Sequence, residues 1–386
     1  MQRELRGEIQ QSFGVHYSFP VHFTRGVFAA ENRLLAETLR RAGPKRQRAL
    51  LVFDSGLVAA NPGLPAAALA YAQAHAGALE WAGAHFTVRG GEVCKNDPVE
   101  VGQLHQLTWE RRIDRQSFIV VAGGGAVLDL VGYAAATAHR GVRLLRLPST
   151  VLAQDDAGIG VKNGVNAFGR KNFVGSFAPP FAVINDFELL RTLSPRDARA
   201  GMAEAVKVAA IKDVAFLRWL HAERLRLGGL EPAAVEELIF RCAALHVEHV
   251  GKADPFEQGS ARPLDFGHWA AHHLEEITRN ELRHGEAVAI GCALDSLYAQ
   301  QVGLISAAEL AVLLETLDGM GFSLAHPALE RLDIAAALAS FQEHLGGELC
   351  ITVPDGLGEK RELHEMDAAL VRRCVGLLLA RRPGSA

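Results

Sequence analysis

Between Ala49 and Asp186 the chain alternates two periodicities, and that alternation constrains its fold more than any other feature. Four short runs rich in β-branched and apolar residues stop at Asp, Pro or Gly: Ala49–Asp54 (ALLVFD), Ser117–Gly124 (SFIVVAGG), Val142–Pro148 (VRLLRLP) and Phe181–Asp186 (FAVIND). Alanine-rich stretches of helical spacing lie between them, as at Leu64–Ala76 and Leu128–Ala138. Strand–helix alternation of this kind predicts a parallel sheet with helices on both faces, a Rossmann-like α/β domain. After about Thr192 the pattern changes. Pro195–Ile211, Ala233–Val250 and Ala307–Met320 have helical spacing and are separated by breaker clusters such as GGLEP and KADPFEQGSARP. The expected organisation is an α/β domain over residues 1–188 and a mainly α-helical domain over 189–386, with a small strand in ELCITVP.

Composition excludes some function classes. Forty basic against 44 acidic residues leave a net charge of -4, so no nucleic-acid or anionic-membrane partner is expected. Any anion must be held by a local cluster. Five scattered Cys with no CxxC pair suit reduced thiols. The N-terminus is polar, and no apolar run reaches the ~18 residues of a membrane span. These features predict a cytoplasmic protein.

Four constellations could carry chemistry. Gly123, Gly124 and Gly125 follow a strand run and precede a helix, where backbone can approach a pyrophosphate closely. A plain tight turn is an equal reading of that triplet alone. Asp54 ends an earlier strand, where a carboxylate suits either a ribose hydroxyl or a turn cap. Asp155–Gly175 reads as a long Gly-rich loop carrying Lys162, Asn163, Asn166, Arg170, Lys171 and Asn172, donors suited to an anionic, hydroxylated ligand. Glu204 and Lys207 lie three apart on a predicted helix and share a face, as a surface ion pair or a buried functional one. Finally, Leu264–Gly291 holds four histidines. His268 and His272 are four apart on one helical face, and His284 precedes the apolar helix GEAVAIGCAL. Two His and a carboxylate make a common catalytic Zn²⁺ shell, and with Glu204 available the spacing favours such a site only modestly.

In this order the motifs GGEVCK, GGGAVLDLVGYAAA, HRGV, LPSTVLAQDDAGIGVKNGVN, GRKNFVGSF, GMAEAVK, DFGHWAAH and HGEAVAIG resemble the 3-dehydroquinate synthase-like sugar phosphate cyclases. The resemblance covers roughly Asp54 to Gly303. It implies an NAD-binding α/β domain, a helical metal-binding domain, and an active site in the cleft between them. By motif, Glu204, His268 and His284 would bind Zn²⁺ or Co²⁺, and His272 would sit beside the substrate phosphate. Asp156, Lys162, Lys171, Asn172, Lys207 and Asp265 would line the substrate pocket. Arg140 would reach the phosphate site of a second subunit in a homodimer. NAD would be held by Asp54, Glu92, Lys95, Gly123, Gly124, Gly125, Asp129, Thr150 and Thr192. The implied reaction oxidises a seven-carbon sugar phosphate transiently, eliminates phosphate, reduces the ketone again and closes the ring by an aldol step.

The chain departs from the family pattern where a substrate carboxylate is held. The motif LNxGHT reads LDFGHW here, with Asp265 in the Asn position. A pocket Arg falls on Ala261, with Arg262 adjacent; an upstream Lys falls on Val247, beside His246; a C-terminal Lys falls near Gln342 or Glu343. Asp at that position is similar to cyclases that use sedoheptulose 7-phosphate, which has no carboxylate. Unlike 2-epi-5-epi-valiolone synthases, the chain keeps His272. It resembles a divergent branch such as that of the ebo gene clusters. True 3-dehydroquinate synthesis, a metal-dependent polyol or alcohol dehydrogenase, and a non-catalytic binding protein of the same fold are the competing readings.

Overall fold

The computed structural model describes residues 8, 10–252, 256, 263–345 and 347–381. The first half contains strands β1 (Val21–Thr24), β2 (Gln47–Asp54), β3 (Leu79–Trp81), β4 (Phe86–Val88), β5 (Phe118–Gly123), β6 (Arg143–Pro148), β7 (Lys162–Ala167), β8 (Arg170–Phe177) and β9 (Ala182–Asp186). Between them run helices α1 (Leu34–Arg40), α2 (Ser55–Ala60), α3 (Leu64–Ala74), α4 (Pro98–Glu110) and α5 (Gly125–Thr137). Seven strands form one parallel sheet in the order β1-β9-β6-β5-β2-β3, with β4 pairing the end of β2 beyond β3. β2 and β5 are buried almost throughout, because helices cover both faces. From β2 the chain goes out to β3 and β4, then returns to β5 on the other side of β2. A crevice opens at such a switch point, beyond the carboxyl ends of the two strands. Asp54 and Gly123 end those strands.

The expected loop at Asp155–Gly175 is instead a hairpin, and this corrects the sequence reading. β7 and β8 pair antiparallel, with Gly164 opposite Gly175. A Cβ at Gly175 would lie 2.6 Å from Asn163 O, so glycine allows the close approach of the strands. Phe168 and Gly169 form the tip with φ of 53° and 75°, the left-handed pair that a two-residue hairpin turn needs. The hairpin rests on Arg146 of β6. This fully buried guanidinium donates to Gly158 O (3.1 Å), Gly160 O (2.7 Å), Lys162 O (3.1 Å) and Asn163 Oδ1 (2.7 Å).

The sheet ends at Asp186, and helices follow from Pro195. They are α6 (Pro195–Lys212), α7 (Val214–Gly228), α8 (Pro232–Lys252), α9 (His268–Ile277), α10 (His284–Gln301), α11 (Ala307–Gly319), α12 (Ile334–Leu345) and α13 (Ala368–Ala380), with the small antiparallel pair β10 (Ile351–Pro354) and β11 (Lys360–Leu363). Ser194 and Asp213 cap α6 and α7 through side-chain oxygens. α10 is buried from Ala287 to Ala299 and α6 from Ala200 to Ile211; both stretches are mostly apolar, with Glu204 and Lys207 the charged exceptions in α6 and Asp295 in α10. No described helix is long and apolar enough to cross a membrane.

α6 and α10 meet backbone to backbone. A Cβ at Gly285 would lie 1.6 Å from Ala200 O, and one at Gly201 would lie 2.2 Å from Leu152 N. Neither neighbour is a flexible side-chain end, so the helices would have to separate. Gly285→Ala should therefore destabilise the fold by about 1–3 kcal/mol, the usual cost of overpacking. Chemical denaturation should show a lowered midpoint; an unchanged midpoint would refute the close contact.

Candidate active site and metal centre

Three helices deliver three ligand-type side chains to one point. Glu204 comes from the middle of α6, and His268 and His284 are the first residues of α9 and α10. Glu204 Oε1 lies 3.5 Å from His284 Nε2 and 4.0 Å from His268 Nε2. One donor atom from each of the three lies within 4.8 Å of the others. His272, Glu275 and His284 form a second such group, so His284 is shared. The ring centroids of His268 and His284 are 5.4 Å apart. Glu204 is wholly buried and in ion-pair contact with buried Lys207, so the surface ion pair is excluded. That contact leaves both Glu204 oxygens without a well-directed hydrogen bond. A buried carboxylate left in this state calls for an explanation, and a coordinated cation is one.

The field around the cluster is negative where a cation would sit. Burial alone would raise the Glu204 carboxyl, but Lys207 above all brings it down to about 2. Burial would lower the His284 imidazole; Glu275 and Glu204 outweigh it and hold the group up at about 10. A pocket that binds a proton this tightly between two carboxylates has the charge to bind a divalent ion in its place. His272 lacks that support: desolvation by the surrounding pocket, reinforced by His268, lowers it to about 3, although the ring keeps an exposed face.

Glu275 escaped the sequence reading. Its buried carboxylate takes His284 Nδ1 at 3.0 Å and Lys171 Nζ at 2.7 Å. Accepting the Nδ1 proton turns Nε2 toward Glu204, the nitrogen that would bind a cation once the cation displaced its proton. His268 is turned the same way by Nδ1 against Phe266 O at 3.2 Å. The signal for Glu275 was present: His268, His272 and Glu275 fall at i, i+4 and i+7 on one face of α9.

The second half of the site is the crevice at the switch point. Asp54 caps α2 through Gly56 N (2.7 Å) and reaches Gly124 N at 3.4 Å. A Cβ at Gly90 would lie 2.3 Å from Asp54 Oδ1, and one at Gly124 would meet Thr150 at 3.3 Å. Asp54, Gly90, Gly123, Gly124 and Thr150 thus form one small-residue cradle, open to the N-terminus of α5 at Gly125. Such a cradle fits a dinucleotide pyrophosphate, with the strand-end carboxylate placed for a ribose. Along its edge, buried Lys95 binds Asp129 at 2.9 Å, contacts Asn172 and lies 3.8 Å from Glu92.

The hairpin joins the two halves. Lys171 reaches Glu275 at the cation cluster, while its neighbour Asn172 reaches Lys95 at the crevice. A turn of π-helix, Ala153–Ala157, does the same from below: Ala157 is packed against Gly125, and Asp156 pairs with buried His246 at 3.1 Å. Burial works against the Asp156 charge, but His246 holds it well below the ordinary carboxylate range. Asp265 lies nearby. Burial would raise its carboxyl; His268, Lys162 and Lys207 together lower it.

At the divergent positions, Val247 is 44% exposed and its neighbour His246 points inward. Gln342 binds Gly347 O, and Glu343 pairs with Arg170. Ala261 and Arg262 lie outside the described residues. Two expected residues stand apart from the cluster. Thr192 is exposed after β9. Arg140 is exposed with φ of 64°, beyond the far end of α5, a 13-residue helix and so about 20 Å long.

Comparison with known proteins now places this geometry. The 3-dehydroquinate synthase N-terminal pattern matches residues 85–200, and the C-terminal pattern matches residues 201–343. The 3-dehydroquinate synthase of Symbiobacterium thermophilum is 35% identical over 323 residues, 83% of either chain. A structure of 2-epi-5-epi-valiolone synthase from Streptomyces hygroscopicus subsp. jinggangensis, with NAD⁺ and Zn²⁺ bound, aligns at a TM-score of 0.86 and 27% identity, over 96% of this chain and 99% of that one. A 2-deoxy-scyllo-inosose synthase complexed with carbaglucose-6-phosphate, NAD⁺ and Co²⁺ shares the fold at a TM-score of 0.71 and 21% identity, over 92% and 95%. The α/β sheet, the helical half and the order of the motifs therefore have one explanation: the chain belongs to the 3-dehydroquinate synthase family of sugar phosphate cyclases.

Proposed function

We propose that this chain converts a seven-carbon sugar phosphate without a carboxylate, such as sedoheptulose 7-phosphate, into a carbocycle, with NAD in the crevice and Zn²⁺ or Co²⁺ at Glu204, His268 and His284. The observation that carries the reading is the step Lys171–Asn172, whose adjacent side chains touch the cation cluster and the crevice. A hydroxyl-bearing carbon held there would face both. When bound, NAD would take a hydride from a secondary alcohol and return it in the same turnover, and the ion would polarise that alcohol. The adjacent C–H, acidified by the ketone, loses its proton. Phosphate then leaves by β-elimination, and the ring closes by an aldol step.

This chain's own groups serve those steps by position. Lys162 and Lys171 offset charge growing on the departing phosphate, and neutral His272 donates one N–H beside it. Lys207 holds Glu204 ionised, and Glu275 aims His284. Glu92, Lys95, Asp129 and Thr150 border the cofactor. By the family resemblance Arg140 acts in a second copy of a homodimer, and its place beyond the far end of α5 is compatible with that role. The position of Asp265 supports a substrate without a carboxylate. An anion there repels a second anion and accepts hydrogen bonds from a neutral polyol. A second reading, 3-dehydroquinate synthase itself, is favoured by the names of the curated relatives.

Two outcomes are expected. His268→Ala should lose stoichiometric metal and lower turnover more than about 100-fold, since changing groups that merely orient a ligand already costs about 10–100-fold. His272→Ala should keep the metal and lose activity. Metal analysis with turnover separates the two, and full metal retention in His268→Ala would overturn the ligand assignment. On substrates, phosphate release from sedoheptulose 7-phosphate should exceed release from the carboxylated precursor of dehydroquinate by about 100-fold in kcat/KM. An unpaired carboxylate in a partly dry pocket costs several kcal/mol, and each 1.4 kcal/mol is tenfold. NAD should be needed only in catalytic amount. Efficient release from the carboxylated substrate alone would favour the second reading, and stoichiometric NADH would favour a dehydrogenase.

A further inference from the structure

α10 is apolar all round except at Asp295 and Ser296, deep in its interior. Asp295 is 0% exposed. One of its oxygens accepts the backbone N–H of Gly267 at 3.0 Å, and the other accepts Trp269 Nε1–H at 2.8 Å. These donors flank His268 on either side. We propose that Asp295 is a positioning residue of the metal centre, a carboxylate from α10 that clamps both neighbours of His268 and so fixes that ligand against the helix whose first residue is His284. The inference rests on the metal reading above.

The argument is geometric. Gly267 is the N-cap of α9 and adopts φ of 79°, and its own side chain offers no cap. A helix start leaves N–H groups that need acceptors. Here the acceptor comes from another helix, 28 residues along the chain. The same seam is tight in its backbone: a Cβ at Gly267 would lie 2.6 Å from Cys292 N, and one at Gly291 would lie 2.0 Å from Gly267 O. Gly291 and Asp295 are four apart, so they meet the Gly267 turn from one face of α10. The Gly267 main chain and the Trp269 indole are thus bonded to one carboxylate of α10, on either side of His268. Trp269 stands where the family motif has Thr. Its indole N–H is buried there and needs an acceptor, which Asp295 supplies.

The test is metal affinity measured by competition with a chromophoric chelator, together with the visible spectrum of the Co²⁺-loaded protein. Asp295→Asn keeps the shape but has one acceptor oxygen, so an amide N–H₂ must face one of the two donors. It should bind Zn²⁺ about 10–100-fold more weakly than the parent, the range seen when groups orienting a ligand are changed. Its Co²⁺ absorption should shift, with circular dichroism unchanged. Trp269→Phe removes one donor only and should lose less, within about tenfold. If Asp295→Asn binds Zn²⁺ within twofold of the parent and gives the parent Co²⁺ spectrum, the clamp is refuted. If Asp295→Asn does not fold, Trp269→Phe decides: an affinity loss of threefold or more supports the clamp, and parent-like affinity and spectrum refute it. His268→Ala in the same assay reports on the underlying reading. Retention of metal by that variant would remove the metal site itself, whereas its loss beside parent-like Asp295→Asn would remove only the clamp.

Discussion

The site depends on one buried charge. Glu204 lies in the middle of a helix buried from Ala200 to Ile211, with no water to solvate it. Burying a carboxylate costs several kcal/mol unless opposite charge and hydrogen bonds are brought to it. Lys207, one turn on, supplies a cation on the same face, and His268 and His284 approach from two other helices. Those contacts require close backbone packing, and the glycines at 267, 285 and 291 provide it. The convergence of α6, α9 and α10 is therefore the structural answer to the placement of one acid. A cation bound there would complete it.

A second constraint is that the α/β half must be held to the helical half at the correct distance. The β7–β8 hairpin carries this load. Arg146 ties its root to the central sheet through four hydrogen bonds. At the other end, Lys171 and Arg170 reach Glu275 and Glu343 in the helical half. The ion pair at Arg170 is exposed and contributes little. The Lys171 pair is different, because Glu275 is 3% exposed and also holds His284. A ligand anion that drew Lys171 toward itself would leave His284 as the strongest partner of Glu275. Substrate binding at the hairpin and ligand geometry at the cluster are thus linked through one carboxylate.

Much of this was legible in the sequence, for reasons that also explain the misses. The buried strands and the long helices announce themselves by period: the runs at Ala49, Ser117, Val142 and Phe181 became β2, β5, β6 and β9, and the stretch from Pro195 became α6. β1, β3 and β4 have three or four residues each, too few to show a period. The hairpin was read as a loop because its glycines, which let the strands approach, look like breakers, and because its residues are mostly exposed. The trio Glu204, His268 and His284 could be named from motif order, and the fold brings the three together. Glu275 was visible in principle from its spacing on α9. Asp295 was not: a single acid in an apolar helix has no local pattern, and its donors lie 26 and 28 residues away. Arg146 likewise sits in a strand run and takes its partners from a turn whose path only the tertiary structure reveals.

The remaining argument concerns how charge is divided across the pocket. Lys162, Lys171 and Lys207 all lie on the side occupied by the hairpin and α6. Asp265 lies in the field of Lys162 and Lys207, and of the family positions that would add cations, the two among the described residues hold Val247 and either Gln342 or Glu343. A ligand with one strongly anionic end and one neutral, hydroxylated end matches that division. On the proposed reading the phosphate would face the lysines, and the hydroxyls would face Asp265 and the paired His246 and Asp156. On that reading a ligand anionic at both ends would bring a carboxylate near Asp265, where Lys207 and Lys171 are already paired with Glu204 and Glu275 and Lys162 alone of the three lysines lies outside those pairs. At close range in a medium of low dielectric, such like-charge contact costs several kcal/mol, more than a few hydrogen bonds recover. On the proposed reading, the charge at one end of the pocket would direct a family chemistry of oxidation, elimination and ring closure to a sugar without a carboxylate.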